Sequence, residues 1–292
     1  MSQNKLELIK ELRQRTNSAL GDVKKALEAT DYNIEAAIKW LKENGIVKAA
    51  KKSGRLASEG VVSAHGTLTQ SLLLEVNSET DFVAQNEKFM TLVKNVTESV
   101  FKAGASTLEE ALQVKVSDSE TVEQALTDAT AVIGEKITLR RVLASKAKEG
   151  HVLGTYLHAN NRVAAVVEVT GSNSEVAKNV AMHLAAMNPE FVLVSDIPED
   201  RMQEIKKAFE APKDFDKKPA QIQERILSGW LDKQLGEVVL EKQPFVMEDS
   251  LTVAKYLANA NAKLVSARRY EVGEGLEKVQ SNFAEEVASM TK

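Results

Sequence analysis

The chain has 292 residues, of which 43% are hydrophobic and 27% charged, and its formal net charge is −4. This length predicts about two or three domains with a sizeable core. The 14 glycines, 5 prolines and 5% aromatic content exclude collagen-like and low-complexity classes. The absence of cysteine excludes disulfide scaffolds, thiolate zinc sites and cysteine nucleophiles. Since Lys and Arg (38) do not outnumber Asp and Glu (42), the chain lacks the overall basic excess typical of nucleic-acid binders.

From the first residues of the sequence we expect no targeting segment. Its first ten residues, MSQNKLELIK, become charged and amphipathic within five positions, with no apolar block of signal-peptide length. No stretch approaches the roughly 18 uninterrupted apolar residues that a membrane span needs. We therefore expect a cytoplasmic protein.

Apolar residues recur at spacings of three and four through the first 45 residues, which predicts three short helices. Asn33 is a suitable N-cap for the third helix, and Gly45 is a suitable end for it. We expect residues 1–47 to form a three-helix domain and the basic, aperiodic stretch 48–60 to be a linker. The three apolar faces consist of Leu8, Ile9 and Leu12; of Leu20, Val23 and Leu27; and of Ile34, Ala37, Ile38 and Leu41.

Beyond the linker the pattern becomes mixed, and an α+β unit occurs twice. LLLEV ending at Val76 resembles AVVEV ending at Val169, which indicates an internal repeat. We predict core subdomains at 61–148 and 149–272. The expected strands are 61–63 and 68–76 around a His65-Gly66 turn, 137–143 with Arg140-Arg141, 152–156, 162–169, and one with Arg268-Arg269; helices are expected from Phe89 to Val100 and from Ser174 to Met187.

The two copies differ in their insertions. The first copy has extra residues, 77–85, that the second lacks, which favours a separate task for this segment. The second contains two helical stripes within about 197–236, separated by a break at Ala211 to Asp214, which predicts a helical hairpin. At the end of the chain, Asn282 to Glu285 resembles a capping box and predicts a short helix within a C-terminal module at 273–292.

Residue patterns of known catalytic sites are absent from the sequence. It contains no GxxxxGK[ST] phosphate loop, no GxGxxG after a strand, no HExxH and no GxSxG. The four histidines are scattered, and metal sites need several convergent ligands. We therefore expect structural or surface roles for them, no cofactor, no metal and no covalent chemistry. The histidines are His65, His151, His158 and His183.

The segment EVNSETDFVAQ, from Glu75 to Gln85, has two interpretations. In one it is a strand end followed by a helix start, with Asp81 as N-cap and Phe82 tucked down as a staple. In the other it presents an aromatic side chain beside a carboxylate as an interface anchor. A further candidate, Leu12 to Leu27, fits a helix corner in which Ser18 caps the second helix.

Together these stretches resemble the elongation factor Ts family, the nucleotide exchange factors of bacterial-type translation. The resemblance is carried by LRxxT followed by KKAL between Leu12 and Leu27, and by TDFVA at the end of Glu75 to Ala84. It continues through His158 in GTYLH, through QPFVM ending at Met247 and through RYEVGEG ending at Gly275, so it covers essentially the whole chain. It implies an α+β fold with an N-terminal ubiquitin-associated-like three-helix domain, duplicated core subdomains, an inserted hairpin and a C-terminal helix.

The resemblance also implies a partner, the GTPase elongation factor Tu, from which the chain would promote GDP release. It implies no direct contact with nucleic acid or membrane, and it leaves self-association through the hairpin open. The segment expected to disturb the partner's magnesium site consists of Thr80, Asp81, Phe82 and Val83. The other expected partner contacts are Leu12, Leu20, Lys24, His158, Val246 and Met247.

The chain departs from the family pattern between Asn17 and Gly21. Many members carry Gly-x-Gly followed by two bulky apolar residues, whereas here Leu20 remains and Gly21 replaces the other. Two other functions stay open on the sequence alone. An adaptor for ubiquitin-like signals would use the N-terminal helices alone, and an RNA-binding translation factor would use the basic stretch from Lys48 to Arg55 and bind with strong salt dependence.

Overall fold

The structure of the chain, a computed structural model, describes residues 2–16 and 18–277. The predicted helix at Asn282 lies outside these residues, as does most of the predicted C-terminal module. The chain divides into two compact units. The described part of the first unit consists of residues 2–16, 18–63, Leu74–Leu143 and 271–277; the second consists of Ala64–Leu73 and Ala144–Tyr270.

Three helices form the start of the first unit, as the apolar spacing predicts: α1 at Ser2–Thr16, α2 at Leu20–Ala29 and α3 at Ile34–Lys52. Their shared core contains the fully buried Leu12, Val23, Ala26, Leu27 and Ala37. The Asn33 side chain caps α3 as predicted, by accepting a 3.0 Å hydrogen bond from the Ala36 N–H. Ser18 does not cap α2, because that helix begins one residue later and Ala19 takes the cap position.

A mixed region follows, with a three-stranded sheet in the order β1-β2-β5. The expected turn at His65-Gly66 is displaced, because both residues belong to β1 and the Thr67 hydroxyl organises the turn by accepting the Gln70 N–H at 3.1 Å. The elements are β1 at Glu59–Gly66, β2 at Gln70–Ser78, α4 at Asp81–Ala84, α5 at Glu87–Ala103, α6 at Leu108–Gln113, β3 at Lys115–Ser117, β4 at Glu120–Thr121, α7 at Val122–Ile133 and β5 at Thr138–Lys146.

Helix α3 continues through Gly45 to Lys52, so the predicted helix end is wrong and the first part of the predicted linker is helical. Gly45 is buried, and a Cβ there would lie 3.2 Å from the Cβ of Ala131 in α7. The glycine therefore serves a close helix–helix approach rather than a C-cap. Beyond it, alanine and lysine have high helix propensity and carry the helix onward. The irregular connection is limited to residues 53–58.

A second mixed region has a sheet in the order β10-β7-β6. Strands β6 and β7 pair antiparallel from His151 opposite Thr170 to Leu157 opposite Ala164. In both regions the middle strand is the second strand of a hairpin. The elements are β6 at His151–Leu157, β7 at Val163–Thr170, α8 at Ser174–Met187, α9 at Glu199–Lys207, α10 at Ala220–Val238, β8 at Pro244–Phe245, β9 at Glu248–Thr252, α11 at Val253–Asn259 and β10 at Leu264–Glu271.

The second unit has one core around the β6–β7 sheet and α8, and a satellite core under the inserted helices. Helices α9 and α10 are present where the two apolar stripes predict them, and Ile205, Leu235 and Val239 are buried there. Phe209 meets Trp230 edge to face with ring centroids 5.2 Å apart. The mixture of helices and sheets is consistent with the predicted α+β class.

Candidate partner-binding surface

Phe82 is the most exposed large apolar side chain among the described residues, at 83%. It lies on α4, a single turn whose N-cap is Thr80, because the Thr80 hydroxyl accepts the Val83 N–H at 3.4 Å. Asp81 is therefore the first helical residue and not the cap. Ala84, not Phe82, faces inward at 7% exposure. The interpretation of Phe82 as a tucked staple is thus wrong, and the ring is presented to solvent.

Two carboxylates tie this turn to the loop after α7. Glu135 accepts the Thr80 N–H at 3.0 Å with one oxygen and the Thr80 hydroxyl at 2.7 Å with the other. Glu79 accepts the Lys136 N–H at 2.6 Å and pairs with Arg55 at 3.2 Å. We call Glu79 and Glu135 the carboxylate clasp. Sequence analysis missed Glu135, because 55 residues separate it from Thr80 and no local pattern marks it.

Glu75, at the start of the motif, is fully buried. Its carboxylate contacts Arg140 at 3.1 Å and Arg141 at 2.6 Å, and it accepts the Asn77 side-chain N–H at 3.0 Å and the Gly273 N–H at 2.8 Å. Burial alone raises the pKa of the Glu75 carboxyl, but the hydrogen bonds from Gly273 and Asn77 and the two arginines outweigh it and hold that pKa below its ordinary value. Glu75 is therefore an ionised structural group that joins β2 to β5 and to the Gly273 backbone.

The N-terminal candidates separate into core and surface. Leu12 is fully buried among the three helices, so its side chain packs the core and is not available to a partner in this structure. Leu20 is 44% exposed, and Lys24 is exposed on the same helix. Residues four apart lie on one helical face, so Leu20 and Lys24 form a small exposed surface of α2.

The basic stretch from Lys48 to Arg55 is largely engaged within the chain. Lys48 pairs with Asp22 at 2.7 Å. Lys52 donates to the Gly134 carbonyl at 2.6 Å, and Arg55 pairs with Glu79. Phosphate binding by these side chains would require breaking those contacts. These contacts weigh against an RNA-binding factor that uses Lys48, Lys52 and Arg55.

In the second unit, Val246 and Met247 form an exposed turn between β8 and β9, with 52% and 56% exposure. The fully buried His183 holds this turn, because its Nδ1 accepts the Val246 N–H at 3.1 Å and its Nε2 lies 3.0 Å from the Gln243 side-chain oxygen. Burial lowers the pKa of His183, and because Nδ1 accepts the Val246 N–H, the neutral ring carries its proton on Nε2. His158 is exposed after β6, with Nδ1 2.9 Å from the Tyr156 hydroxyl.

A cavity of about 390 Å³ in the first unit lies between α2, α3 and α7. Its lining includes Glu120, Asp128 and Lys42. Burial raises the pKa of Asp128 against the attraction of Lys42, and burial followed by repulsion from Asp128 raises the pKa of Glu120. Within residues 2–16 and 18–277, no group of three or more His, Cys, Asp or Glu side chains could hold a metal ion. No helix in that part of the chain is long and apolar enough to cross a membrane.

Comparisons with known proteins agree on one family. A family model described as Elongation factor TS matches residues 79–274. The chain is 99% identical over 292 residues to elongation factor Ts of Mycoplasmopsis synoviae (strain 53), and the alignment covers 100% of both chains. It is 47% identical to elongation factor Ts of Mycoplasmopsis pulmonis (strain UAB CTIP), with 99% of this chain and 98% of that protein covered. It is 48% identical to that of Metamycoplasma arthritidis (strain 158L3-1), with 98% of each covered.

Proposed function

This chain belongs to the elongation factor Ts family, and from that premise we propose that it binds elongation factor Tu carrying GDP and promotes GDP release by disturbing the magnesium and phosphate site. Membership makes the chain a translation elongation factor and nucleotide exchange factor without covalent chemistry. The route to release, the residues that act and a cytoplasmic location are our proposals.

The observation that supports this route best is the exposure of Phe82. A large aromatic side chain at 83% exposure has its apolar surface available for burial against a partner. Its backbone is held by a cap and by Glu135, so the ring is displayed from a fixed turn. Buried aromatic anchors of this kind carry much of the binding energy of protein interfaces. We assign Phe82 as the wedge, with Thr80, Asp81 and Val83 as the turn that carries it.

The energetic requirement is modest. A bound GDP is held by loop amides, a lysine and Mg²⁺ through charge-assisted contacts, so displacing the ion and loop weakens it without any contact from the factor to the nucleotide. A thousandfold faster release corresponds to lowering the barrier by about 4 kcal/mol, at about 1.4 kcal/mol per tenfold. Linkage requires that GDP weaken the factor by the same ratio by which the factor weakens GDP. One desolvated aromatic wedge with supporting contacts supplies energies of this order.

Further contacts would anchor the factor. Leu20 and Lys24 offer an exposed apolar side chain and a cation on α2. Val246 and Met247 offer an apolar turn, and His158 offers an exposed imidazole. We propose these residues as partner contacts. For the architecture we propose a ubiquitin-associated-like domain, a duplicated core and an inserted hairpin, with a shorter linker than predicted because α3 continues to Lys52.

Stopped-flow release of a fluorescent GDP from elongation factor Tu tests the proposal. We expect Phe82→Ala to fold normally and to lower the maximal release rate by about tenfold or more, about 1.4 kcal/mol or greater. Leu20→Ala should mainly raise the factor concentration needed for half-maximal release. Leu68→Ala is the matched control, because Leu68 is also an exposed apolar residue, at 55%, outside the proposed surface. Unchanged release with Phe82→Ala would refute the wedge assignment.

A further inference from the structure

We propose that Glu135 is the positioning residue for Phe82: its carboxylate fixes the one-turn helix that carries the ring, and the speed of nucleotide release depends on that fixation. The inference rests on the proposed function and extends it to a residue outside the TDFVA motif. It starts from the two hydrogen bonds, of 3.0 and 2.7 Å, that Thr80 donates to Glu135.

Helix α4 has only four residues, and helices this short are not stable by themselves, because nucleation costs more than a few hydrogen bonds return. Its ring-bearing side chain is exposed and packs on little. The geometry of the turn must therefore be imposed from its ends. The N-terminal end is Thr80, and both polar groups that Thr80 can donate with, its N–H and its hydroxyl, are directed to Glu135.

The contact with Glu135 also determines the orientation of the cap. Because the Thr80 hydroxyl donates its hydrogen bond to the carboxylate, its oxygen remains free to accept the Val83 N–H at 3.4 Å. Val83 follows Phe82 directly. Hydrogen bonds thus run from Glu135 to Thr80 and from Val83 to Thr80, on both sides of Phe82 in the sequence. The negative charge of Glu135 strengthens the hydrogen bonds that it accepts.

The loop that carries Glu135 is itself held by hydrogen bonds. Gly134 ends α7 in the left-handed region at φ 94° and donates to the Thr130 carbonyl at 3.1 Å. Three residues on, the Ile137 N–H donates to the buried Thr130 hydroxyl at 3.0 Å. Glu79, the other residue of the carboxylate clasp, accepts the Lys136 N–H and so binds the segment before α4 to the same loop. The turn with Phe82 is therefore attached to a preorganised support, which lowers the ordering cost of inserting the ring into a partner.

The test compares Glu135→Ala, Glu135→Gln and the control Glu110→Ala in full-length protein. Glu110 is also a capping carboxylate, which accepts the Ser106 N–H at 2.8 Å and the Ser106 hydroxyl at 3.0 Å, but it serves α6. Truncating either glutamate therefore removes similar local hydrogen bonds. Release of fluorescent GDP from elongation factor Tu is measured over a range of factor concentrations. Amide hydrogen exchange of residues 79–85 is measured in the free factor.

We expect Glu135→Ala to lower the maximal release rate about tenfold, or about 1.4 kcal/mol, with little change in half-saturation and with faster amide exchange at residues 79–85. Glu135→Gln should be intermediate, because its remaining oxygen accepts one of the two bonds. Glu110→Ala should stay within about twofold of wild type. Equal loss of rate in Glu135→Ala and Glu110→Ala, or unchanged exchange at residues 79–85, overturns the inference.

The same series separates this inference from the proposed function. Slow release with Phe82→Ala but wild-type release with Glu135→Ala overturns the role of Glu135 alone. Wild-type release with Phe82→Ala overturns the wedge assignment and, with it, the positioning role that depends on it.

Discussion

Glu75→Gln tests whether a buried ionised carboxylate holds the first unit together. The side chain is fully buried and meets two arginines, one amide side chain and one backbone N–H. Glutamine has nearly the same volume, so the substitution leaves the packing in place. It removes the negative charge and exchanges one acceptor oxygen for a donor NH₂ group. The arginines then face a neutral side chain and a donor.

The structure limits the size of the effect. Removing one partner of a buried ion pair costs about 3–5 kcal/mol of folding free energy when the remaining charge is fully buried. The side chains of Arg140 and Arg141 keep 22% and 25% exposure, so water partly solvates them after the change. Glutamine also retains one acceptor for the N–H of Gly273. We therefore expect the lower end of the range, about 3 kcal/mol.

Urea unfolding followed by circular dichroism measures the loss, and Glu168→Gln is the matched control. Glu168 occupies the middle strand of the other sheet at 8% exposure, and its shortest contact is to His151 at 2.7 Å, with longer ones to the Lys148 N–H at 3.2 Å and the Ser266 hydroxyl at 3.3 Å. It faces no arginine pair in those contacts. We expect a loss of about 1 kcal/mol there.

The pH dependence of the unfolding free energy provides a second test of the role of Glu75. Because the pKa of Glu75 is lowered on folding from the model-peptide value of 4.5, its stabilisation is fully present above about pH 4.5 and is lost as the pH falls through the folded pKa. The difference between wild type and Glu75→Gln should therefore be constant at neutral pH and narrow in acid. A difference under 1 kcal/mol at pH 7, or one that widens in acid, would refute the reasoning.

Two further predictions concern titrating groups whose pKa values the fold shifts. Burial raises the pKa of Asp128, so the stability that its protonated form contributes is present below the unfolded value of 3.8 and is lost as the pH rises through the folded pKa. Asp128→Asn should therefore raise the free energy of unfolding at pH 7.5 more than it does near pH 3.8. Urea unfolding at the two pH values measures this, and an equal increase at both would contradict it. Burial lowers the pKa of His183, so the stability that its neutral form contributes is fully present above about pH 6.5 and is lost as the pH falls. Between pH 7.5 and 5.5 the difference in unfolding free energy between wild type and His183→Gln should therefore narrow by up to about 1.4 kcal/mol. A difference that stays constant in thermal or urea unfolding would show that protonation of His183 does not cause the loss.

Helices with complete local signals were predicted closely from the sequence. For α8 the bounds Ser174–Met187 agree with the apolar spacing, because Asn173 caps one end and Asn188 adopts the left-handed conformation at the other. For α3 the local signal was misleading. Glycine often marks a helix end, but at Gly45 the reason for a glycine is the close approach of Ala131 in α7. That contact exists only in the tertiary fold, so no local rule predicts it.

The candidate site was predicted in part for the same reason. The segment 77–85 has no counterpart in the second copy, which indicates a separate task for it and for Phe82 within it. The side chain that holds its turn lies 55 residues away, so periodicity and capping rules could not identify Glu135. For Leu12 the error is the opposite one, because it was predicted as a partner contact and is buried. It belongs to the motif that carries the resemblance, but its part in that motif is to pack the helical core.

Motif membership therefore does not separate residues that touch a partner from residues that support those contacts, whereas burial does. Between Glu75 and Ala84, the residues at both ends are buried and hydrogen-bonded or packed, and Phe82 alone is a large apolar side chain left in solvent. Burial of this ring against a partner would remove its apolar surface from water, which favours association. The turn that carries the ring is fixed by Glu135, which lies in a distant loop, through contacts that leave the ring itself free to bind.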